Sequence, residues 1–65
     1  MMDAQKITVA AQLMWLSGVD RPGILVFTQV LNIMYHGAFF SEEELEEIVD
    51  AAIEEQTTEV RRRSN

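Results

Sequence analysis

Residues 22 to 41 read PGILVFTQVLNIMYHGAFFS, twenty consecutive positions without a formal charge in a chain where 25% of residues are charged. Read at 100° per residue, Ile24, Val26, Phe27, Val30, Leu31, Ile33 and Met34 cover about half of a helical circumference. Arg21, Thr28, Gln29, Asn32 and His36 collect on the other half, interrupted by Leu25, with Tyr35 at the border. A strand is the competing assignment, because the run contains β-branched and aromatic residues. Strict alternation is absent, however, and the span from Arg21 to His36 is longer than an ordinary strand, so the pattern predicts a helix over 21–36.

An apolar arc of about 180° is wider than the roughly 100° stripe that a surface helix needs to sit on one core. The helix is therefore expected to touch more than one neighbour. Ile24, Phe27, Leu31 and Met34 are the residues expected to pack between helices or between subunits. The opposite strip is uncharged apart from Arg21, which suits partial covering rather than a back that faces water.

Upstream, Asp3 is a candidate N-cap for a first helix over 4–17, and Gly18 suits the left-handed position that ends it. Ile7, Ala10, Ala11 and Met14 form one apolar stripe, Val9, Leu13 and Leu16 a second beside it, and Trp15 is expected to pack at the edge of a bundle. Asp20 can cap the central helix, and Pro22 in its first turn sacrifices no intrahelical hydrogen bond. Gly37 is expected to cap its other end.

Downstream, Ser41 with Glu44 three residues later has the spacing of a capping box, and Phe40 with Leu45 that of a hydrophobic staple. Leu45, Ile48, Val49, Ala52, Ile53 and Val60 share one side of a third helix over 42–60, opposite its acids. Three acids in its first turn and Arg61, Arg62 and Arg63 at its end complement the helix dipole. The fold class is all-α: a small three-helix unit joined by short turns, one domain over 1–65, with 61–65 a frayed basic tail.

At 65 residues the chain buries only about 60% of its unfolded surface on folding and is marginal alone. It has no cysteine for disulfides or thiolate metal sites, and 48% hydrophobic residues with few Gly and Pro argue against disorder. The remaining way to strengthen so small a core is to share it, so a homodimer or higher oligomer is expected.

The net charge of −6 is concentrated in one element. Residues 1 to 40 are balanced, whereas residues 41 to 60 hold nine acids and no base. Glu43, Glu46, Glu47, Asp50 and Glu54 form a candidate partner-facing acidic face. No secretory leader pattern is visible at the start, which makes the cytoplasm the expected location, and either of the two opening methionines can be the native start.

No catalytic pattern emerges. The acids lack calcium-loop and EXXH spacing, and the lone His36 has no histidine or cysteine partner for zinc. Nor does the chain carry a phosphate loop or a nucleophile elbow. No enzyme activity, cofactor or metal is expected. Gln29, Asn32 and His36 share one helix edge and form a candidate polar binding strip, equally readable as interhelical bonds. Membrane insertion is not expected, because Thr28, Gln29, Asn32 and His36 would each need a partner in lipid.

The expected function is a non-catalytic protein–protein interaction module: a small acidic adaptor, assembly chaperone or inhibitor of a larger partner, of the kind found among phage and mobile-element accessory proteins. One alternative is a nucleic-acid-binding regulator that contacts phosphate through Arg61 to Arg63, although the acidic third helix would repel the backbone. Another is a small-ligand binder at a subunit interface.

Overall fold

The computed structural model describes residues 4–36 and 40–64, and contains three helices: α1 (Ala4–Leu16), α2 (Arg21–His36) and α3 (Glu42–Ser64). The caps expected from Asp3 and Gly37 lie outside the described residues.

Each described helix end follows from local chemistry. Gly18, at φ +92°, takes the left-handed conformation after α1. The Val19 and Gly18 amides donate to the carbonyls of Met14 (3.0 Å) and Trp15 (3.1 Å), the paired bonds of a Schellman ending. Ser17 is the residue that leaves the helix, so α1 stops at Leu16 rather than one position later. The Asp20 Oδ1 accepts from the Gly23 amide at 3.0 Å and caps α2. At α3 the capping box is reciprocal: the Glu44 amide donates to Ser41 Oγ and the Ser41 amide to Glu44 Oε1, both at 3.1 Å.

The third helix runs on through Arg61, Arg62 and Arg63 to Ser64, four residues past the expected end at Val60. Arginine is a good helix former, its charge suits a helix C-terminus, and Arg63 pairs with Glu59 one turn earlier at 3.4 Å. At 23 residues α3 is about 34 Å long, against roughly 20 Å for α1 and 24 Å for α2. Its last turns extend beyond the packed region, and the molecule measures 42 × 18 × 18 Å.

The core lies between α1 and α3, which pack most extensively, with α2 laid against both. Ile7, Ala11, Ile24, Leu45, Val49 and Ala52 are buried, and Met14, Leu25 and Ile53 close around them. With Ala11 and Ala52 among its six apolar members the core is thin, and it has no room for the full apolar content of α1 and α2. Val9, Leu13 and Leu16, the second stripe of α1, are accordingly exposed. Trp15, expected at a packed edge, retains 37% of its surface in solvent over the α1–α2 turn, beside Val19 and Asp20.

Candidate interaction surfaces

Helix α2 is turned with its polar strip inward. Its buried positions are Ile24, Thr28 and Asn32, one every four residues, while Val26, Phe27, Val30, Ile33 and Met34 point outward at 46–71% exposure. The helical wheel does not say which arc faces the core, and Ile24 of the apolar arc faces inward together with the polar strip. Bonding permits the polar arc to face in, because the buried Thr28 and Asn32 side chains both have hydrogen-bond partners there.

Burying polar groups is tolerable only when they are bonded. The Thr28 hydroxyl donates to the Leu25 carbonyl of its own helix at 3.0 Å and needs no tertiary partner. Asn32 makes two bonds to one residue. Its Nδ2 donates to the Phe40 carbonyl at 2.9 Å, and its Oδ1 accepts from the Phe40 amide at 3.0 Å. No buried side-chain nitrogen or oxygen among the described residues lacks a partner.

Further polar bonds hold the same rotation. At the first residue of α2 the Arg21 guanidinium forms a two-pronged pair with Asp50 of α3, at 2.5 and 3.0 Å. That hydrogen bonding holds the Asp50 carboxyl below its ordinary pKa and the Arg21 guanidinium above its own, against an opposing cost of desolvation. One turn before Asn32, Gln29 Nε2 donates to Glu42 Oε1 at 3.2 Å. Rotating α2 to bury its apolar arc would break the Arg21, Gln29 and Asn32 contacts together.

The candidate residues thus separate. Of those expected to pack between helices or subunits, Ile24 enters the core, Leu31 is half-buried, and Phe27 and Met34 stand on the outward face. Gln29 and Asn32 of the polar strip are committed to α3 and the segment before it, and the His36 side chain lies outside the described residues. Glu43, Glu46, Glu47, Asp50 and Glu54 are all exposed on α3, with Asp50 engaged by Arg21. Val26, Val30 and Ile33 belong to the outward face without having been singled out as site residues. Nothing local marks the Arg21–Asp50 pair, whose members are 29 positions apart.

An open cleft of about 220 Å³ is lined by Gln29, Asn32, Ile33, Phe40, Glu42 and Leu45. It is smaller than the roughly 300–1,000 Å³ of ordinary ligand sites. Among the described residues, no group of three or more His, Cys, Asp or Glu side chains is placed to hold a metal ion, and no helix is long and apolar enough to cross a membrane. The sequence matches no protein-family model, and neither the curated proteins nor the solved structures contain a significant match to it.

Proposed function

We propose that this chain is a non-catalytic protein–protein interaction module of the cytoplasm, an acidic adaptor, assembly chaperone or inhibitor that works as an oligomer. The observation that carries the reading is the orientation of α2: hydrogen bonds hold Thr28 and Asn32 inward, and Val26, Phe27, Val30, Ile33 and Met34 are left in solvent. The arrangement satisfies the polar groups of α2 within one chain but leaves its apolar arc uncovered there. It exposes on the order of 500 Å² of contiguous apolar surface, about the largest patch that much bigger monomers carry.

Two surfaces divide the work. The apolar face of α2 supplies buried contact area, and the acidic face of α3 supplies charge for a basic partner. The exposed acids Glu43, Glu47 and Glu54 are free of the Arg21 pairing and make that face selective rather than sticky. The test is site-specific photo-crosslinking in the native host from position 47 on the acidic face and from position 30 on the apolar face. Discrete protein adducts are expected at both, and adducts at neither would overturn the reading.

A further inference from the structure

We draw no further inference here: the strongest candidate, the outward apolar face of α2 formed by Val26, Phe27, Val30, Ile33 and Met34, is an unpartnered helix face, and nothing in the structure shows what covers it.

Discussion

The side-chain amide of Asn32 and the main-chain peptide of Phe40 are paired head to tail, each donating one hydrogen bond to the other at 2.9 and 3.0 Å. Asn32 is 3% exposed and Phe40 half-buried, and the pair holds the segment before α3 against α2. It explains how an all-helical unit can keep a polar residue near its centre, and it fixes which side of α2 faces in.

Replacing Asn32 by leucine should therefore destabilise the chain although it makes the position more apolar. The Phe40 amide and carbonyl would both lose their bonds to Asn32, and a group left buried and unbonded costs about 1–3 kcal/mol. Urea midpoints followed by circular dichroism measure this, and an unchanged midpoint would mean that water replaces the amide without loss.

The capping box at α3 predicts coupling rather than two independent effects. Ser41→Ala should cost about 0.5–2 kcal/mol. Because Ser41 and Glu44 exchange bonds, Glu44→Ala should cost less in the Ser41→Ala background than in the native chain. A double-mutant cycle from denaturant midpoints reads the interaction, and strict additivity would place the two bonds outside the folding equilibrium.

Gly23→Ala should fail to give the gain of about 0.5–1 kcal/mol that alanine ordinarily brings to a helix. A Cβ there would stand 2.9 Å from Asp20 Oδ1, the atom that caps α2, and 3.0 Å from Val19 Cγ1. The substitution trades helix propensity against the cap. In an Asp20→Ala background, where the cap is already gone, Gly23→Ala should be more favourable than in the native chain, and equal effects in both backgrounds would deny the conflict.

The Arg21–Asp50 pair gives a pH dependence whose sign follows from the lowered Asp50 pKa. A carboxyl held below its unfolded value stabilises the fold above that value, near pH 4, and loses the contribution as pH falls through the folded value. Both side chains are about half exposed, at 45% and 53%, so screening keeps the effect small. Asp50→Asn should lower the urea midpoint slightly at pH 7, and the difference should shrink toward zero as the pH drops from about 4 into the strongly acidic range. A difference that persisted at low pH would assign the effect of Asp50 to packing instead.

The helices and most of their described ends were legible in the sequence, because they depend on residues within one turn. Asp20 before Pro22, Gly18 after α1, and Ser41 with Glu44 act through bonds that span three to five positions. Periodicity likewise assigns Ile24 and Val26 to an apolar arc and Thr28 and Asn32 to a polar one. Those signals are local, and tertiary structure does not have to supply them.

Which arc faces inward was decided only by the fold. A wheel ranks faces by hydrophobicity, and on that ranking Phe27 and Met34 belong inside. The folded chain instead has a small core around Ala11, Ile24, Val49 and Ala52, a distant carbonyl and amide at Phe40 to receive Asn32, and Asp50 on another helix to receive Arg21. All three depend on contacts between separate helices, which no single-helix pattern contains. Composition and spacing thus determined that the chain makes three helices and carries more apolar surface than it can bury alone. The tertiary structure decided where the excess lies, because the groups that bond Arg21, Gln29 and Asn32 stand on other segments and hold the polar arc inward.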